Sequence, residues 1–250
     1  MAQGVYDCPR AYGILSAYSD FVDIKLDEIE MNLCSAMVDA VSRVLGRSHK
    51  NLAVLADILM CLYLSDLVHK KIKAMGVDGD EKCGRQYAVL LGDYWLSESF
   101  WQLISHCFYA QVSLRHFTKL VKTMKEGALR RWQLAQEQFG REELSLIWEM
   151  ERGAMMALGG KLAAEILDAN AAAATLFEKF GCCLGMAWAA GVETAVDGGT
   201  GSVAPAPEDF LAEAKVLADE MACFGDVTAL HEILEFLADH LSVRSEMFGF

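Results

Sequence analysis

Between Arg10 and Ala204 the chain contains no proline; its three prolines are Pro9, Pro205 and Pro207. Proline fixes φ and removes a backbone donor, so it punctuates helices and is kept out of central strands. A long proline-free interval rich in alanine, leucine and methionine, all strong helix formers, favours continuous helices. No useful length of strand-like alternation and no internal repeat interrupts it. The expectation is an all-α protein. With 250 residues and 54% apolar composition, one domain spanning 1–250 can bury a large core without staples.

The organising stretch is residues 52–76, LAVLADILMCLYLSDLVHKKIKAMG. It is apolar nearly all round up to Leu64, which predicts a central helix covered on most sides. It turns polar at Ser65-Asp66-Leu67-Val68-His69 and then carries Lys70, Lys71 and Lys73, favourable near a helix C-terminus. Upstream, Val22, Leu26, Ile29, Leu33, Met37, Ala40 and Val44 recur at three- and four-residue steps, predicting a helix over 20–45 that stops at Gly46. Further helices are predicted from about 85, then over 109–139, 142–168, 171–196, 207–224 and 227–243. Residues 76–84 read as a polar loop. Gly153, Gly159 and Gly160 inside one predicted helix imply close backbone packing or a kink. Residues 1–19 form a loosely patterned lead, and 197–209 (DGGTGSVAPAPED) a mobile loop.

A net charge of −13 argues against nucleic-acid binding and against docking on an anionic membrane, both of which need a basic surface. The longest apolar run, 52–64, contains Asp57 and is shorter than the ~20 residues that span a bilayer, so no transmembrane segment is expected. Eight cysteines form no C-x-x-C pair, and several fall in apolar helical runs. That usage suits reduced thiols in a cytoplasmic protein.

Three segments carry a resemblance. Gly92-Asp93-Tyr94-Trp95-Leu96-Ser97 is similar to the G-D-Y-L-x-[SA] segment of trans-isoprenyl diphosphate synthases. Lys125-Glu126-Gly127 resembles that family's E-G-E segment, and Phe180-Gly181-x-x-Leu184-Gly185-x-Ala187-Trp188 its F-G-x-x-L-G-x-A-F-Q segment. Helix order and spacing also match from about residue 20 onward. The resemblance implies an isoprenoid-synthase-type helical bundle. It also implies two facing helices that each end in an Asp-Asp-x-x-Asp box, where magnesium ions neutralise a departing diphosphate.

The boxes are degenerate here. The first falls on Ser65, Asp66 and His69, and the second on Val192, Glu193 and Val196, so each keeps one carboxylate. The family's lysine–threonine pair appears as Arg152-Gly153, and the glutamine before the second box as Ala189. A magnesium–diphosphate cluster has too few ligands. The pattern resembles the catalytically silent small subunit of heterodimeric hexaprenyl and heptaprenyl diphosphate synthases. It implies no catalytic residue and no cofactor in this chain, with Mg2+ expected in a catalytic partner. The implied assembly is a heterodimer or heterotetramer, with self-association a further possibility.

Competing readings stay open. Asp66 and His69, at i and i+3, could share a metal; otherwise they are a polar helix end. Glu193 could touch a magnesium from the far side; otherwise it is a surface or hydrogen-bonded carboxylate. Tyr94, Trp95, Phe100 and Trp101 line an apolar tunnel, meet a partner, or fill the core. Adjacent Cys182 and Cys183 point about 100° apart on a helix and suit core packing better than a shared ion. Two other functions remain: a divergent active synthase using Asp66 and Glu193, and a carrier of apolar prenyl chains.

Overall fold

The computed structural model describes Leu26 and residues 28–71, 79–106, 110–134, 141–196 and 205–248. Among the described residues none lies in a strand. The α-helices are α1 (Glu28–Leu45), α2 (Asn51–Lys71), α3 (Gly79–His106), α4 (Ala110–Leu134), α5 (Arg141–Trp148), α6 (Ala154–Ile166), α7 (Ala171–Val196), α8 (Pro207–Glu220) and α9 (Thr228–Phe248). A π-helical turn, Glu149–Gly153, joins α5 to α6, and a 3-10 turn, Met221–Cys223, follows α8.

The central helix is α2. Leu52, Leu55, Ala56 and every residue from Ile58 to Asp66 are buried. Residues Asn51–Lys70 are long and apolar enough to cross a bilayer by length and composition, a longer span than the apolar run suggested. In this fold 72% of the most apolar window is buried inside the protein, as a core helix requires. Helix α3 packs most extensively on α2, and α7 on α6.

The α6–α7 contact depends on glycine. A Cβ on Gly181 would lie 2.3 Å from the Met156 carbonyl oxygen, and one on Gly185 2.4 Å from that of Arg152. From the other side, a Cβ on Gly160 would lie 2.4 Å from the Phe177 carbonyl oxygen. Backbone, not a flexible side chain, occupies the space, so only glycine lets the two helices approach this closely.

Helix ends follow local chemistry. Gly46 has φ +59°, the Arg47 N–H reaches the Ser42 oxygen, and the Gly46 N–H reaches the Arg43 oxygen. That double bond pattern is the Schellman stop expected at Gly46. Arg47 then caps another helix, donating to the Leu167 carbonyl at 2.7 Å and to that of Asp168 at 3.1 Å, just past the end of α6. Asn170 Oδ1 accepts the Ala173 N–H at 2.8 Å at the start of α7.

Two expectations are corrected. Residues 79–84 belong to α3 rather than to a loop. The helix expected over 142–168 is interrupted, because the Ala154 N–H bonds to the Glu149 carbonyl five residues back. Gly153 ends that widened turn, and Gly159 and Gly160 give the close packing that was the other expectation. The lead at 1–19 and positions 197–204 of the expected mobile loop lie outside the described residues. Pro207, Glu208 and Asp209 instead open α8, with proline in the first turn.

Candidate functional site

The polar end of α2 is the place to look, because six of its neighbours carry charge. Ser65 and Asp66 are buried, and Asp66 is 1% exposed. Arg152 Nη1 donates to Asp66 Oδ2 at 3.0 Å. Lys70, one turn on, lies 3.0 Å from the same oxygen. Lys125 of α4 lies 4.0 Å from Asp66 Oδ1. The second carboxylate is Glu151, also 1% exposed. It takes Lys70 at 2.7 Å and Arg131 of α4 through Nη2 at 2.8 Å and Nε at 3.3 Å. Lys70 therefore bridges the two carboxylates, and the cluster ties α2, α4 and the π-helical turn together.

Arg152 is held on its faces as well. Its guanidinium carbon lies 4.4 Å from the Tyr63 ring centre and 5.2 Å from that of Trp188. Those two rings meet each other at 4.9 Å between centroids. Tyr63 also donates its hydroxyl to Glu30 of α1. Aromatic side chains thus fill the gap between α2 and α7 directly beneath the charged layer.

Burial opposes ionisation of Asp66, but Lys70, Arg152 and Lys125 outweigh it and hold its carboxyl well below the usual carboxylate range. Glu151 follows the same pattern, with burial opposed chiefly by Lys70 and Arg131, and it too is lowered. Burial also works against the Arg152 charge, but Asp66 raises its pKa further still. Both carboxylates are charged at neutral pH.

His69 closes the cluster on the α3 side. Its Nε2 lies 3.3 Å from Asp93 Oδ1 and its Nδ1 3.5 Å from Lys125 Nζ. The pair of partners assigns the neutral tautomer: Nε2–H donates to Asp93, and Nδ1 accepts from Lys125. Burial and then Lys125 push its pKa down, against the pull of Asp93 and Asp66. A Cβ on Gly92 would sit 2.5 Å from His69 Nε2, so the glycine of the Gly92-Asp93 segment makes room for this ring.

These residues do not fit a magnesium centre. Magnesium needs several oxygen donors free to coordinate. Asp66 is occupied by Arg152, Lys70 and Lys125, the lysine at 70 standing one helical turn away. No group of three or more His, Cys, Asp or Glu side chains among the described residues is placed to hold a metal ion. Asp66 is therefore neither a solvent-facing helix end nor a metal ligand in waiting; it is the centre of a buried ion network.

The other candidate positions separate. Val192 is half-buried against the core. Glu193 and Val196 stand in the last turn of α7, and their side chains lie outside the described residues. Trp95 is fully buried, and Phe100 meets Phe117 edge-on at 4.9 Å. Tyr94 and Trp101 face outward on α3, Trp101 being 66% exposed. Burial pushes the thiols of Cys182 and Cys183 up to about 12, which leaves both as small hydrophobes.

Sequence reasoning placed Lys70 near a helix C-terminus, Lys125 in the segment resembling E-G-E and Arg152 at the family's lysine–threonine pair, but did not bring them together, and it missed Arg131 and Glu151 altogether. The Asp66–Lys70 pair was readable from its i, i+4 spacing. Pairs separated by 20 to 86 positions carried no such signal.

Neither a protein-family model nor a curated protein matches this sequence. Solved structures do match it in shape. A geranyltranstransferase from Thermotoga maritima aligns with a TM-score of 0.65 at 15% identity, covering 96% of each chain. An isoprenoid synthase family member from Thermotoga neapolitana gives 0.67 at 16%, over 94% of this chain and 96% of that one. A geranylgeranyl pyrophosphate synthase from Corynebacterium glutamicum gives 0.68 at 13%, over 95% and 92%. At such identities the likeness speaks to fold, and the fold of this chain is the isoprenoid-synthase helical bundle of the trans-prenyl diphosphate synthases.

Proposed function

We propose that this chain is a non-catalytic subunit of a heteromeric trans-prenyl diphosphate synthase, working beside a catalytic subunit in the cytoplasm. The observation that carries the reading is the state of Asp66. The last carboxylate at the first box position is buried and bound to Arg152 and Lys70, in the place where the family's chemistry needs ligands for magnesium.

The outer face of α3 supports a partner. Leu90, Tyr94, Trp101 and Ile104 recur at steps of four, seven and three, and all four are exposed, Leu90 at 67%. Large apolar side chains on one helical face are what an obligate helical interface uses. The occupied Asp66 weighs against a synthase acting alone.

The test is a prenyltransferase assay with allylic and isopentenyl diphosphates and Mg2+. The purified chain alone is expected to be inactive, and activity is expected when it is mixed with a homologue that keeps both aspartate boxes. Turnover by the chain alone overturns the proposal. So does full activity of the homologue without it.

A further inference from the structure

The π-helical turn has two faces. Glu151 and Arg152 turn to the ion cluster, while Glu149 and Met150 line a separate groove of about 520 Å3. Small-molecule sites run from about 300 to 1,000 Å3. The floor of the groove is α6: Ala154, Ala157 and Lys161 follow Met150 at steps of four, three and four, along one helical face. Two alanines keep that floor low between its walls. One wall is α4, with His116, Lys119, Leu120 and Thr123, and the other is α7, with Glu178, Lys179 and Cys182.

The groove is polar at one end and apolar at the other. Helices α6 and α7 run antiparallel, since Gly160 meets Phe177 and Gly185 meets Arg152. Lys161 and Glu178 therefore share an end, where they pair at 2.9 Å. On the other side, Gly127 of α4 packs against Met150. The groove's α4 residues all precede Gly127 and its α6 residues all follow Met150, so His116 comes level with Lys161. That end gathers His116, Lys119, Lys161 and Lys179 about one carboxylate, Glu178, in a chain of net charge −13. The far end holds Met150 and Leu146, the latter 39% exposed. Glu149 stands beside them and disfavours a bound negative charge there. From Lys161 to Met150 the floor runs about 16 Å at the helical rise per residue, the reach of a medium-length acyl chain.

His116 Nδ1 is sealed from solvent and has no hydrogen-bond partner among the described residues. A buried nitrogen left unmet costs about 1–3 kcal/mol, and native proteins keep few such atoms. The ring lines the groove, and a half-turn about its outer bond exchanges Nδ1 with the opposite edge, so the imidazole can turn an N–H to a bound oxygen. Lys119 stands three residues on, along the same wall. Two donors side by side suit a head with two oxygens. We propose that this groove binds an amphipathic carboxylate, its head between His116 and Lys119 and its aliphatic tail along Ala157 and Ala154 towards Met150 and Leu146. The site shares no residue with the cluster around Asp66, and it stands whether or not the chain pairs with a catalytic subunit.

The experiment is calorimetric titration of the purified full chain with sodium decanoate, kept below its micellar range. Saturable binding at one site is expected, and decylammonium, with the same tail and the opposite charge, is expected to bind at least tenfold more weakly. That comparison uses the native chain and so does not depend on any variant folding. His116→Leu is expected to weaken decanoate binding about tenfold, the value of one charge-assisted hydrogen bond. Ala157→Phe, which fills the floor, is expected to abolish it. Lys122→Ala, on the same helix but paired with Glu126 at 3.6 Å, is expected to leave it unchanged. Melting temperatures without ligand verify that each variant folds. Absence of saturable binding overturns the proposal. So does decylammonium binding as tightly as decanoate, an unchanged affinity in His116→Leu, or an equal loss in Lys122→Ala.

Discussion

At the scale of single residues, the Asp66–Arg152 pair sets the energetics of this region. Both partners are buried, so removing Asp66 takes from the Arg152 charge its hydrogen-bonded carboxylate. Asp66→Ala is expected to cost about 3–5 kcal/mol of folding stability, read as a lowered midpoint in urea denaturation. The double variant Asp66→Leu/Arg152→Met is expected to recover part of that loss, because no unpaired charge remains between them. Acid should act in two stages. His69 has a lowered pKa in the folded protein, so its contribution to stability is present above its unfolded value of 6.5 and is lost as pH falls below it. Asp66 and Glu151 are also lowered, so their contribution is full above the unfolded carboxylate values near ~4 and is lost as pH falls through the lower folded ones. Urea midpoints between pH 7 and 5 should fall for the native chain and fall less for His69→Gln.

At the scale of helices, the glycines of the Phe180–Trp188 segment read as packing devices. Gly185→Ala puts a methyl group against the Arg152 carbonyl and is expected to cost roughly 1–3 kcal/mol or more. Because Arg152 lies on the displaced backbone, the same change should disturb the ion cluster, visible as a weaker acid dependence of stability. Much of this level was legible beforehand. The start and end of α7 coincide with the predicted helix, since alanines open it and Asp197-Gly198-Gly199 follow it. The Gly46 stop was readable because a helix stop is local chemistry. The π-helical turn was not readable: over five residues, an apolar pattern cannot tell a wider turn from an ordinary one. The candidate site was legible only by position. Ser65, Asp66 and His69 mark one end of the central helix, but the partners of Asp66 and His69 come also from α3, α4 and the π-helical turn, and only the fold brings those near.

For the molecule as a whole, the question is what covers α3. Trp101→Glu and Ile104→Glu change exposed side chains, so folding is expected to be retained and the melting temperature to shift little. Co-purification with a catalytic homologue is expected to be lost, which size-exclusion chromatography of the mixture would read directly. Two copies of a chain carrying −13 repel each other, so a less acidic partner is favoured over self-pairing, and the preference should grow as salt is lowered.

The ion network also bears on how this chain can change over generations. A metal-binding arrangement would require Arg152 and Lys70 to go and new carboxylates to arrive beside Asp66. Loss of Arg152 first takes from the buried Asp66 its most buried partner, at a cost in stability. The intermediates on that route are the poorly folded ones. Single steps away from the present arrangement of buried charges at this end of α2 are therefore disfavoured.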